Sequence, residues 1–277
     1  MTETSTKRAV FYISDRTGIT AEVLGHGLLT QFDGQNFEHT MLPFVDTPEK
    51  AEQALTRINL AAENSPNRPL VFSTMVNVEE RNIVSKCNGL FIDLFETFQA
   101  KLEQELHTPA ATVIGRAHGV PTNNSYKTRI DAINFALKND DGANTASYID
   151  ADIILLGVSR SGKTPTCLYL ALQYGIMAAN YPLTSDDFDG TQLPKAVKPF
   201  HNKLFGLTIE GERLHYIRQE RLADSKYASL KQCQTEIRAA ENIFRAENIP
   251  FLDTSNISIE EITTSILHQT GLHRRLR

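Results

Sequence analysis

The sequence predicts an α/β protein of two domains, and three observations predict it. Short apolar runs of strand length alternate with longer segments whose apolar residues recur at helical spacing. The alternation stops at a polar, turn-rich stretch, NDDGANTASYID (residues 139–150), and then restarts. The restart opens on an apolar run that breaks into a glycine-bounded turn carrying an arginine and a lysine. Strands separated by helices pair in parallel, so the N-terminal sheet is expected to be largely parallel.

The elements follow in order. AVFYIS (residues 9–14) is a buried strand and DRTG a turn; the next segment places Ala21, Leu24, Leu28 and Phe32 at helical spacing. A strand at HTMLPFV, a helix at PEKAEQALTRINLAAEN and a strand at RPLVFSTM come next. Residues 78–106 read as mainly helical, with an interruption near Asn88 and Gly89. RAHGVPTNNSYKTRIDAINFALKNDDG begins as a loop and ends as a helix, and the domain boundary is expected near residue 147. The expected domains are therefore 1–146, an α/β domain for partner contact, and 147–277.

In the second half ADIILLGV is a strand and TPTCLYLALQY a helix. Pro165 falls in its first turn, where a missing N–H does no harm, and Gly175 stands at its stop. IMAANYPL and KLFGLTI are further strands. SIEE (residues 258–261) is a capping box that starts a last helix ending near Gly271.

Bulk properties exclude several classes. A net charge of -5 lacks the basic excess of a nucleic-acid binder, although a local basic pocket for a small anion remains compatible with it. No run approaches the ~18 apolar residues of a membrane span. The polar opening MTETSTKR argues against a signal peptide, so a cytoplasmic location is expected. Cys87, Cys167 and Cys233 are odd in number and far apart, which suits buried thiols in a reducing compartment.

The chemistry centres on IILLGVSRSGKTPTCLYL (residues 153–170). Gly157, four residues, then Gly162, Lys163 and Thr164 fit the P-loop pattern in full, between a strand and a helix. Gly157, Val158, Ser159, Arg160, Ser161, Gly162, Lys163 and Thr164 are the expected nucleotide-binding residues, and the second domain is read as a P-loop kinase-like α/β domain. The glycines allow successive N–H groups to turn onto one anion, and the helix adds its positive end. Lys163 would reach terminal phosphate oxygens, Thr164 would place its hydroxyl on a magnesium ion, and Arg160 could grip a second phosphate. Such a loop is shared by small-molecule kinases, ATPases and switches, so the reaction must come from other residues.

Those residues are less sharply marked. SDDFDG (residues 185–190) follows a strand, and its carboxylates, Asp187 among them, either hold magnesium or accept a hydroxyl proton, or else form a solvated acidic loop. Lys203 in HNKLFG is either a phosphate clamp or an exposed lysine. GLFIDLF, around Asp93, has the form of an apolar run ending in an acid, but it precedes the loop and reads better as one polar position on a helix. YISDRTG gathers Ser14, Asp15, Thr17 and Gly18 at a strand end, as a ligand site or as a helix cap. RAHG with NNSYKTR brings Arg116, His118, Asn123, Asn124, Tyr126, Lys127 and Arg129 into a short span, either an anion or phosphoprotein surface or a solvated loop.

Taken together, VFYISDRTGITAEVLGH, LPFV, RAHG, YKTRIDAINFAL, DDG, IILLGVSRSGKTPTCLYLA, AANYPL, KLFGLTI and SKYASLKQC resemble the phosphoenolpyruvate synthase regulatory proteins. These group with the pyruvate, phosphate dikinase regulatory proteins. The likeness runs from about residue 9 to 275 in the same order and spacing, and it leans toward the synthase as target.

The resemblance implies a bifunctional enzyme. In one direction it moves the β-phosphoryl group of ADP onto a threonine of the synthase, beside that enzyme's catalytic histidine. In the other it uses inorganic phosphate to remove the group as pyrophosphate. ADP as donor comes from the resemblance, not from the loop. Oligomeric state is left open, a homodimer included. Ser161 stands where a relative has cysteine, Arg16 where relatives commonly have glycine, and Asn139 where some have histidine; Asn139 is therefore not expected to be catalytic. The mechanism expected is in-line transfer, with Lys163, Arg160 and magnesium neutralising charge, Asp187 orienting the acceptor hydroxyl and Lys203 as a second clamp. A small-molecule kinase using ATP and a nucleotide-sensing module without transferase activity are the rival readings.

Overall fold

The computed structural model describes residues 7–110, 123–188 and 190–275. The chain divides into two compact units, Met1–Val120 and Pro121–Arg277.

The first unit carries β1 (Arg8–Ile13), α1 (Ile19–Leu29), β2 (Phe37–Leu42), α2 (Pro48–Glu63), β3 (Leu70–Ser73), α3 (Val78–Val84), β4 (Leu90–Asp93) and α4 (Glu96–Leu106). Its four strands pair in parallel in the order β2-β1-β3-β4. Alternate side chains of β1 face opposite ways, and both faces are covered. Phe11 and Ile13 join Ala51, Ala54 and Ile58 of α2, while Val10 and Tyr12 join Ala21 and Leu29 of α1. That double burial explains why β1 reads as a continuous apolar run. Thr47 caps α2 by accepting the Lys50 amide, with Pro48 in the first turn.

Residues 78–106 correct the mainly helical expectation, because β4 lies between two helices. It is only four residues long and pairs on one side alone, so Leu90 stays exposed and no strong alternation develops. Asp93 ends this strand, and its Oδ1 accepts the amides of Phe95 and Glu96 where α4 begins. It is a strand-end acid, not a polar position on a helix.

The second unit carries α5 (Asn123–Lys138), β5 (Ile153–Val158), α6 (Lys163–Tyr169), β6 (Ala178–Leu183), β7 (Leu204–Thr208), α7 (Gly211–Arg221), α8 (Leu230–Ala246), β8 (Phe251–Asp253) and α9 (Ile259–Thr270). The strands are again parallel, in the order β6-β5-β7-β8. Ile154, Leu156 and Val158 pack with Ile237, Ala240, Ile243 and Phe244 of α8; Ile153 and Leu155 pack with α6 and with Ile262 and Ile266 of α9. The capping box at Ser258 and Glu261 opens α9, and left-handed Gly271 closes it. Gly175 likewise ends the helical stretch after α6 in a left-handed conformation.

The boundary falls earlier than residue 147. Ala132 and Ala136 of α5 are buried with Ile153 and Leu155, so this helix belongs to the second core. The polar stretch after it is a turn within that unit, fixed by side-chain hydrogen bonds described below.

Candidate phosphate-binding site

β5 ends at Val158 and α6 begins at Lys163, so the P-loop residues form the first turn at the carboxyl edge of the second sheet. Its two glycines act differently. Gly162 has φ 88°, the left-handed region that side chains with a Cβ enter at a cost. Gly157 is ordinary strand, but a Cβ there would lie 2.4 Å from the Leu207 carbonyl oxygen and 2.6 Å from Ser161 Oγ. It is needed for close approach. Arg160 is the residue unsuited to its own backbone: φ is 77°, a strain of about 1–2 kcal/mol for a non-glycine, and its side chain is exposed.

The loop is held from several sides. Lys163 is buried, and its Nζ donates to the Val158 carbonyl at 2.9 Å. Burial pushes its pKa down to about 8, although Asp141 and Asp140 work in the opposite direction. The Ser159 hydroxyl shares a 2.9 Å hydrogen bond with the Tyr227 hydroxyl. Among the described residues, no partner takes the amides of Arg160, Gly162, Lys163 or Thr164. Four donors are thus free around one turn, which suits an anion.

An acid stands at the mouth. The Thr164 hydroxyl donates to Asp140 Oδ1 at 2.8 Å, and the Asn180 side-chain amide donates to the same oxygen at 2.5 Å. Asn180 also accepts the Asp141 amide through its side-chain oxygen, so β6 holds the DDG turn against the loop. Sequence reasoning quoted DDG and AANYP but gave neither Asp140 nor Asn180 a role, since an acid meant for the loop was sought downstream of it. Asn139 is fully buried; its side chain donates to the Phe135 carbonyl and accepts from Ser147.

Asp187 lies after β6, at the same edge as the loop. Its Oδ2 accepts the amide and hydroxyl of Thr184, and its Oδ1 accepts from Tyr181, so its visible work is to cap the turn at residues 184–187. Lys203 is not brought to the loop, which corrects its expected role as a second clamp. It immediately precedes β7, whose Leu204 pairs with Ile154, and so it sits at the amino edge, roughly 15–20 Å of strand away from the turn. Its Nζ donates to the Ile149 carbonyl.

Other candidates are resolved in part. In the first unit Ser14 and Asp15 are buried, Asp15 accepts the Val76 amide, and Arg16 is exposed. Arg116 and His118, with the side chains of Asn123 and Asn124, lie outside the described residues; Tyr126, Lys127 and Arg129 are on α5. The three cysteines are free and buried, as expected. Among the described residues no cluster of three or more metal-ligating side chains occurs, and no helix is long and apolar enough to cross a membrane. Thr164 with Asp140 is the pair that fits a magnesium ion, because both offer hard oxygen donors.

Residues 10–267 match the Kinase/pyrophosphorylase family. A protein of Alkalilimnicola ehrlichii with the provisional name phosphoenolpyruvate synthase regulatory protein is 55% identical over 273 residues, covering 99% of each chain. Proteins of the same provisional name from Stutzerimonas stutzeri and Alcanivorax borkumensis are 52% and 54% identical, covering 98% of this chain and all of theirs. With the match spanning both units and relatives aligned end to end, this chain belongs to the Kinase/pyrophosphorylase family.

Proposed function

We propose that this chain is a phosphotransferase that switches phosphoenolpyruvate synthase off and on, transferring the β-phosphoryl group of ADP to a threonine of that enzyme and removing it again with inorganic phosphate. The coarser part rests on the family and on the names of full-length relatives. The observation that carries the chemistry is the Thr164–Asp140 hydrogen bond beside buried Lys163, because it sets a cation, a hydroxyl and a carboxylate around one run of free amides. The partner-contact role of the first unit belongs to the same proposal.

In the forward step the threonine oxygen bonds to the β-phosphorus as the bridging P–O bond to the α-phosphate breaks; AMP leaves, and the hydroxyl proton passes to solvent. Such transfers proceed through a loose transition state, so positioning and charge neutralisation do most of the catalysis. The free amides and Lys163 take up charge on the phosphate oxygens, and exposed Arg160 can swing onto the outer phosphate. Thr164 and Asp140 would hold magnesium, which supplies Lewis-acid neutralisation of the diphosphate when bound. In the reverse step the same donors seat orthophosphate against phosphothreonine, and pyrophosphate leaves.

The test is mass spectrometry of purified synthase after incubation with this protein, ADP and phosphoenolpyruvate to load its histidine. One phosphate on one threonine is expected, strictly ADP-dependent, with later phosphate addition removing it and releasing pyrophosphate. Unmodified synthase, with transfer instead from ATP to a metabolite, would establish the small-molecule kinase reading in its place.

A further inference from the structure

We infer that Arg218 is a positioning residue for the phosphate loop: together with Thr254 it pins two loop carbonyls outward and so turns the following amides inward. The inference rests on the diphosphate-binding reading above. Arg218, on α7, is fully buried. Its Nη2 donates to the Ser159 carbonyl at 3.1 Å and to Glu236 of α8 at 2.7 Å, and its Nη1 donates to the Tyr227 carbonyl at 3.0 Å. The guanidinium lies 4.1 Å from the Tyr227 ring centroid, and that tyrosine's hydroxyl meets the Ser159 side chain. The Thr254 hydroxyl lies 3.2 Å from the Ser161 carbonyl and 3.0 Å from the Thr208 carbonyl, so its one proton is shared between the loop and the end of β7.

In a trans peptide the C=O and N–H point in opposite directions. Fixing the Ser159 carbonyl toward Arg218 therefore turns the Arg160 amide the other way, and fixing the Ser161 carbonyl toward Thr254 does the same for the Gly162 amide. Arg160, between the two anchors, is the residue left in a left-handed conformation. A loop without anchors would relax that arginine and lose the inward amides. Only a rigid fork can reach Ser159, Tyr227 and Glu236 at once, so a lysine cannot replace Arg218.

The merely structural alternative is that Arg218 ties α7 to α8 through Glu236. The two are separated by titrating purified full-length protein with ADP and with AMP, which lacks the outer phosphate that these amides would meet. Arg218→Lys and Thr254→Val are expected to weaken ADP roughly tenfold or more while AMP changes by less than about twofold, each variant retaining a cooperative thermal transition. A parallel loss of both nucleotides, or no loss of either, would overturn the inference. Should Arg218→Lys fail to fold, Arg218→Gln takes its place in the same titration, while Thr254→Val reports on the second anchor only, its hydroxyl also serving the Thr208 carbonyl. Wild-type protein that binds neither nucleotide would overturn the functional proposal and this one together; wild-type protein that binds ADP, with variants that keep its preference over AMP, overturns this one only.

Discussion

The Thr164 hydroxyl donates to the Asp140 carboxylate across 2.8 Å, joining the first turn of α6 to a turn 24 residues upstream. The acid that serves this loop comes from before it in the chain, delivered by α5 and held by Asn180 of β6. Asp140→Asn keeps the shape and removes the charge. It is expected to lower the rate of ADP-dependent threonine phosphorylation by about 10–100-fold and to raise the magnesium concentration needed for half-maximal rate. Rate measurements across a magnesium titration check both.

Asp187→Ala provides the contrast. Its carboxylate holds the amide and hydroxyl of Thr184, so the variant should lose about 1 kcal/mol of stability, read from a denaturant midpoint. A loss of transfer rate as large as that of Asp140→Asn would instead give Asp187 a direct part in the reaction.

Lys163 ties nucleotide binding to pH. Burial lowers its pKa from 10.5 to about 8, so the empty native state releases a proton that the unfolded chain still binds. Between pH 8 and 10.5 native stability should therefore rise relative to Lys163→Met, and below pH 8 that gain is absent. A bound diphosphate favours the charged lysine, so binding near pH 8 to 9 should take up a proton. Calorimetry in buffers of different ionisation enthalpy would read the uptake, which should vanish at pH 6.5.

Gly157→Ala and Gly162→Ala separate space from torsion. A methyl at Gly157 meets the Leu207 carbonyl at 2.4 Å, backbone that cannot swing aside, so a loss of about 1–3 kcal/mol and of nucleotide binding is expected. A methyl at Gly162 meets nothing within 4 Å, and its cost is the left-handed backbone alone, about 1–2 kcal/mol. Thermal unfolding with and without ADP distinguishes them.

Lys203→Ala should leave transfer within about twofold of wild type, because its ammonium caps the Ile149 carbonyl at the opposite sheet edge. The synthase phosphorylation assay applies directly.

The strands, the loop and the last helix could be read from the chain because each carries a local mark: a fully buried apolar run at Ile153–Val158, glycines at fixed spacing, a capping box at Ser258. What escaped reading was set by distant partners. β4 is four residues on a sheet edge, and α5 joins the second core through Ala132, Ile133, Phe135 and Ala136, although the polar, turn-rich stretch that looks like a boundary comes only after it. Asp140 and Arg218 gain meaning only from Thr164 and Ser159, with which they share no sequence pattern. Lys203 was misjudged because closeness to a strand says nothing of which end of the sheet it occupies.

Both sheets run in the order second, first, third, fourth strand, and in both the first strand leads through a left-handed glycine, Gly18 or Gly162, into a helix. One architecture is thus drawn twice in this chain, yet the residue that opens the helix is Ile19 in one copy and Lys163 in the other. Scaffold shape by itself does not distinguish the two halves; an ammonium group at the helix start, present in one and replaced by an isoleucine in the other, is the difference on which the proposed diphosphate site rests.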